Sequence, residues 1–196
     1  MFSILTDRGV MMRKWFKTGA AVVCAAMLVA CDNNTPLMEQ VLEEDTDKVA
    51  AMLKEGADID ARNNFGWTAL MHAARLGNND MVRLLVSQGA DVNAQDGSGW
   101  TALGRAVMKD RVETVQLLLE LGADPNHVEE GGWTTVHWAA QQGKQRVLKV
   151  LVDAGGDLTK KNPNGWTAHM IAQKEGHTDV ANLIARWLRE KGLPVQ

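Results

Sequence analysis

The chain has 196 residues, 45% of them hydrophobic and 23% charged, which is enough apolar material for one continuous core and ordinary for a folded domain. The net charge is −3, and −6 without residues 1–30, a sign that makes nucleic acid or an anionic membrane surface a poor partner. In chain order, the first feature is the stretch MMRKWFKTGAAVVCAAMLVAC, from Met11 to Cys31. Arg13, Lys14 and Lys17 precede an uncharged run from Thr18 to Ala30, which turns polar at Asp32. The run is too short to span a bilayer and has the tripartite build of an export signal over residues 1–30. Met11 or Met12 would give this signal a shorter basic head than Met1 does.

Leu28, Val29, Ala30 and Cys31 resemble the lipobox of bacterial lipoproteins. That resemblance implies cleavage after residue 30, lipidation of Cys31 and a short tether over residues 31–34. A plain secretory signal with an incidental cysteine, or a buried helix, are the competing readings. Cys24 follows the bulky Val23 and fits the pattern poorly. Acyl chains on one cysteine anchor firmly, each buried methylene contributing about 0.8 kcal/mol. The processed chain would carry 17 basic and 23 acidic side chains, a net of −6, and no disulfide. Asp32 resembles the signal that retains lipoproteins in the inner membrane, which places the domain in the bacterial periplasm.

Beyond the tether the sequence repeats every 33 residues. GWTALMHAARLGN begins at Gly66, GWTALGRAVMKDR at Gly99, GWTTVHWAAQQGK at Gly132 and GWTAHMIAQKEGH at Gly165. The first three run on into VRLLVSQGADVNA, VQLLLELGADPNH and LKVLVDAGGDLTK, while TPLMEQ at Thr35 and VAAMLKEGADIDA at Val49 form a degenerate unit ahead of them. In each unit a threonine (Thr35, Thr68, Thr101, Thr134, Thr167) is placed to cap a first helix. Pro36 follows one of these caps at a position where its missing N–H costs nothing. Ala73, Ala74, Ala106, Ala139, Ala140 and Ala172 mark close helix approach. Leu84, Leu85, Leu117, Leu118, Val150, Leu151, Leu183 and Ile184 form the apolar stripe of the second helices. Gly56, Gly89, Gly122 and Gly155 end those helices.

The period, the TPL opening and the GAD-x-N turn resemble the ankyrin repeat over essentially the whole processed chain. The resemblance implies an all-α solenoid of five helix-turn-helix repeats with β-turn fingers, spanning 35–196, with repeats starting near 33, 66, 99, 132 and 165. His137 stands at the family's TPLH histidine position, where Met38, Met71, Gly104 and Met170 stand in the other units, and is read as structural; His72 and His169 lie one place to either side of that column. Gln40 and Lys48 in the first unit, and Arg186, Arg189, Glu190 and Lys191 in the last, suit water-facing ends. Translation from Met38 would give a cytosolic form, but Met38 also fits a core position equivalent to Met71 and Met170.

In ankyrin proteins partners lie across the fingers and the inner face of the first helices. Transferred residue by residue, this puts Phe65, Trp67, Ser98, Trp100, Glu130, Trp133, Asn164 and Trp166 on fingers and Arg75, Met108, Lys109, Gln141, Gln142 and Lys174 on the helix face. Trp67, Trp100, Trp133 and Trp166 are expected to form a ladder that mainly stiffens the array, with partner contact at one or two rungs. Residues that differ between units, namely Phe65, Arg105, Lys109, Glu130, Trp138 and Gln142, are the candidates for specificity. His72, His127, His137, His169 and His177 show no HExxH spacing, and neither GxSxG nor GxxxxGK occurs, so neither an enzyme nor a cofactor or metal site is expected. His177, in EGHTD, reads as a turn residue.

The expected role is therefore protein binding by a monomeric, membrane-tethered module. The resemblance to ankyrin lipoproteins further implies an immunity protein that neutralises a (phospho)lipase toxin delivered by type VI secretion. Two other roles stay open: an accessory factor that supports a catalase or other envelope protein under oxidative stress, and a structural scaffold of an envelope complex.

Overall fold

In the computed structural model of the protein, residues 33–129 and 131–195 are described; the expected signal segment, Cys31 and Glu130 lie outside the described residues. Among the described residues ten helices form five hairpins: α1 Pro36–Leu42 with α2 Thr46–Lys54, α3 Ala69–Leu76 with α4 Asn79–Ser87, α5 Ala102–Met108 with α6 Val112–Glu120, α7 Thr135–Gln141 with α8 Gln145–Asp153, and α9 Ala168–Lys174 with α10 Thr178–Glu190. Among the described residues, extended pairing is limited to one antiparallel bridge between Val128 and Thr134. No described helix is long and apolar enough to cross a membrane.

Threonine decides where the first helices start. Thr35, Thr68, Thr101 and Thr167 each accept the backbone N–H three residues on, at 3.3–3.4 Å, satisfying a donor with no helical partner. At the start of α7, His137 reaches back instead, and its Nδ1 accepts from the Thr134 N–H at 3.1 Å. The second helices stop where a positive φ is needed. Gly56, Gly89, Gly122 and Gly155 take φ of 91°, 99°, 96° and 93°, just beyond the ends of α2, α4, α6 and α8.

Successive first helices pack on one another, and each packs on the second helix of its own hairpin. Ala73, Ala74, Ala106, Ala139, Ala140 and Ala172 are fully buried at these contacts, as expected from their small size. Leu85, Leu118, Leu151 and Ile184 form the completely covered line of the outer helices, each contributing about 2 kcal/mol of burial. Met38 is also fully buried beside Leu37 and Val41, so it holds a core position like Met71.

Two columns of polar side chains cross from repeat to repeat. In the GAD-x-N turns, Asn93 donates to Gly122 O at 3.2 Å and accepts from Asp124 N at 3.0 Å. Asn126 makes the same pair of bonds to Gly155 O and Asp157 N. The second column sits before the second helices. Arg111 donates to Arg75 O at 3.3 Å, Lys144 to Val107 O and Met108 O at 2.7 Å each, and His177 Nε2 to Gln141 O at 2.9 Å. These donors satisfy carbonyls at the C-terminal end of the preceding first helix, where a positive charge is also favoured. His177 is thus both a turn residue and an inter-repeat staple. At the ends, Lys48 stays exposed in an ion pair with Asp45, and the 13-residue α10 closes the stack with Arg186, Arg189, Glu190 and Lys191 in water.

Adjacent fingers touch through backbone. Gly97 N donates to Phe65 O at 2.9 Å, and a Cβ on Gly66 would lie 2.6 Å from that nitrogen. Gly165 has the same φ of 78° but nothing within 4 Å of its Cβ position. Gly165→Ala is therefore expected to lose about 1 kcal/mol, the conformational term alone. Gly66→Ala should lose clearly more, because the fingers must also part; urea unfolding of the two variants measures the difference.

Candidate functional site

Each finger closes on itself by the same rule. The N–H of Gly66, Gly99, Gly132 and Gly165 returns to the carbonyl of the residue three earlier, at 2.7–3.0 Å, leaving two further N–H groups of the turn without a backbone partner. In three fingers a short side chain at the turn's first residue takes both. Asn63 Oδ1 accepts from Phe65 and Trp67, Asp96 Oδ1 from Ser98 and Trp100, and Asn162 Oδ1 from Asn164 and Trp166, at 2.8–3.0 Å. The tryptophan backbone is therefore fixed by a buried side chain, and its ring is aimed accordingly.

Glu129 occupies the same place in the fourth finger and behaves differently. Its side chain is longer by one methylene and reaches past the turn, so that Oε2 accepts the Trp138 Nε1–H at 2.7 Å. The room for it comes from Gly104: a Cβ there would stand 3.0 Å from Glu129 Oε1 and 2.9 Å from the Trp100 ring. Glu129 is 5% exposed, and Oε1 has no hydrogen-bond partner. Burial pushes its carboxyl up to about 8, against the smaller opposing pull of the Trp138 hydrogen bond and the Arg105 charge. The group is mostly neutral at pH 7.

Trp67, Trp100 and Trp133 are joined in one stack, but through inserted side chains rather than as a ladder of like rungs, and Trp166 stands apart from it. The Arg105 guanidinium lies between Trp67 and Trp100, 4.0 and 5.2 Å from their ring centroids, and pairs with the buried Asp96. Trp138 lies between Trp100 and Trp133, at 5.1 and 4.6 Å. Trp166 faces the Lys174 ammonium at 4.3 Å instead of another ring. Such cation–π and offset ring contacts each contribute about 1 kcal/mol. Arg105 and Trp138, expected to differ between repeats for the sake of specificity, are thus the inserts that carry the stack from finger to finger. His137 keeps its structural reading. Burial holds its ring below the usual imidazole range, and with Nδ1 accepting from Thr134 the proton lies on Nε2, which donates to Lys160 O at 3.0 Å.

Beside the stack opens a groove of about 490 Å³ between the second and third fingers and the inner ends of α3 and α5. Trp67, His72, Trp100 and Met108 line it, Phe65 stands at its rim with 57% of its surface exposed, and Arg75, Arg105 and Lys109 complete the wall. Of the expected contact residues, Phe65, Trp67, Trp100, Arg105 and Lys109 come together here. Trp133, Trp138 and Gln142 do not line this groove, although Gln142 touches Met108 Sδ at 3.0 Å, and Trp166 is at the far finger. Sequence reading missed Asn63, Asp96, Glu129 and Gly104. Reading positions 63, 96, 129 and 162 as one column marks Glu129 as the member that is too long. Among the described residues, no cluster of three His, Cys, Asp or Glu side chains is placed to hold a metal ion.

A family model described as ankyrin repeats (3 copies) matches residues 27–129 and 123–192. The chain is also similar to the mitochondrial disaggregase of Homo sapiens, with 37% identity over 67 residues, and to that of Bos taurus, with 39% identity over 62 residues. These stretches are 31% and 29% of this chain and 10% and 9% of the relatives, so the chain spans about a tenth of the length of either.

The Glu129 geometry predicts a pH dependence. Its carboxyl remains protonated in the fold up to about pH 8 but ionises near 4.5 once unfolded, so its contribution is fully present below about pH 4.5 and is lost as the pH rises through about 8. Glu129→Gln keeps an acceptor for Trp138 and cannot ionise. Denaturant unfolding at several pH values should show a smaller fall in stability toward alkaline pH for the variant than for the parent; parallel curves would refute a buried neutral carboxyl.

Proposed function

The chain belongs to the ankyrin-repeat family, and we propose that it is a protein-binding module tethered through Cys31 to the inner membrane, on the periplasmic side, where it captures and silences a secreted lipase-type toxin. The observation that carries the binding reading is the groove itself. It brings a rigid aromatic stack, an exposed phenylalanine and the exposed cations Arg75 and Lys109 to one edge of the solenoid. Rigid aromatics lose little entropy on docking, and arginine and tryptophan are the side chains that most often dominate interfaces. The stack is held from behind by Asp96 and Glu129, so the surface is organised before a partner arrives.

The tether reading rests on Leu28–Cys31 and on the distance to the fold. Helix α1 begins five residues after Cys31, and at about 3.5 Å per extended residue the domain stays within about 17 Å of its anchor. An inhibitor held there meets a phospholipase at its substrate. Masking an enzyme's entrance needs only a complementary surface, which a solenoid edge supplies.

Two outcomes are expected. Cys31→Ser should move the protein from the detergent phase to the aqueous phase on phase separation; partitioning that does not change would remove the anchor from the account. Affinity capture from cells under attack by toxin-secreting kin should recover a lipase-type toxin, with recovery reduced at least about tenfold by Phe65→Ala combined with Lys109→Ala. Recovery of a catalase, or of several envelope proteins together, would replace the toxin reading with an accessory or scaffold role.

A further inference from the structure

The groove differs in charge from the rest of the processed chain. That chain carries a net of −6, yet no carboxylate lines the groove, whereas Arg75, Arg105 and Lys109 do. Arg105 is neutralised from behind by Asp96. Arg75 and Lys109 are exposed and, among the described residues, have no carboxylate within 4.0 Å. The nearby helix-end carbonyls are already engaged by other cations: Arg75 O accepts from Arg111, and Val107 O and Met108 O accept from Lys144.

We propose that this groove holds an extended, acidic segment of the partner protein, with an apolar side chain laid against Trp67, Trp100 and Phe65 and carboxylates on either side meeting Arg75 and Lys109. The inference rests on the protein-binding reading and specifies its chemistry. An arginine fork takes a carboxylate in two parallel hydrogen bonds, while a lysine meets it as a point charge. A net-negative domain repels nucleic acid, and a flat anionic bilayer does not enter a groove walled by fingers, which leaves a peptide as the ligand that fits both the shape and the sign.

The test uses the full chain in detergent micelles and three fluorescein-labelled decapeptides that share two central phenylalanines and carry glutamate, glutamine or lysine at every flanking position. Fluorescence anisotropy should show the glutamate peptide binding at least about tenfold tighter than the glutamine peptide, with binding weakened by added salt, and the lysine peptide not binding. Arg75→Glu with Lys109→Glu should lose the glutamate peptide by a similar factor and gain the lysine peptide, with the circular dichroism spectrum unchanged. Equal binding of all three peptides, binding of none, or displacement of the glutamate peptide by phosphatidylglycerol vesicles would overturn the proposal. The two readings fail separately. If glutamate and glutamine peptides bind alike and Phe65→Ala abolishes both, the groove docks protein and only its preference for acid is wrong. If no peptide binds and groove substitutions leave the captured partner in place, the docking site itself is misplaced.

Discussion

Helices of seven to nine residues do not persist alone in water, because the nucleation cost exceeds what so few hydrogen bonds return. Nine of the ten described helices are of this size. Each hairpin therefore exists because its neighbours cover it, and every other feature depends on that coverage. Alanines allow the first helices to approach closely, leucines fill the wider gap between the second helices, and the same columns of Asn93, Asn126, Arg111, Lys144 and His177 align one repeat on the next. Stability is then a sum of interfaces rather than of helices.

The fingers inherit their order from this stacking. A four-residue turn exposes backbone donors that it cannot satisfy alone, and a buried side chain at its first position takes them up. Once that backbone is fixed the tryptophan stacks on groups of its own repeat, such as Trp138 beside Trp133 and Lys174 beside Trp166, and on what the next repeat provides: a guanidinium between the second and third fingers, and another indole between the third and fourth. The fourth finger differs because Gly104 in the third repeat leaves a space and Glu129 fills it. A carboxyl kept neutral by burial is tolerable there because one oxygen accepts from Trp138.

This arrangement gives the domain one edge that is rigid, aromatic and cationic in a chain that is otherwise acidic. Rigidity reduces the entropy lost on docking, the aromatic surface supplies area, and the charge selects among partners. In the proposed role, a short tether through Cys31 would hold that edge near lipid, where a toxin acting on phospholipid would meet it. No group in the groove needs to do chemistry for such a module to work.

The repeat length, the threonine caps, the alanines of close approach and the glycine stops could be read from the sequence, because each answers a local demand within one repeat: a capped N–H, a small volume, a positive φ. His137 and the buried Met38 were legible for the same reason. The roles of Arg105 and Trp138 as inserts in the stack, the length mismatch that sends Glu129 to Trp138, and the shared task of Arg111, Lys144 and His177 were decided only by the tertiary structure. These contacts join residues 5–38 positions apart, many of them across repeats, and one task is carried by side chains as different as arginine, lysine and histidine. A pattern of residue types does not reveal it until stacking sets the distances.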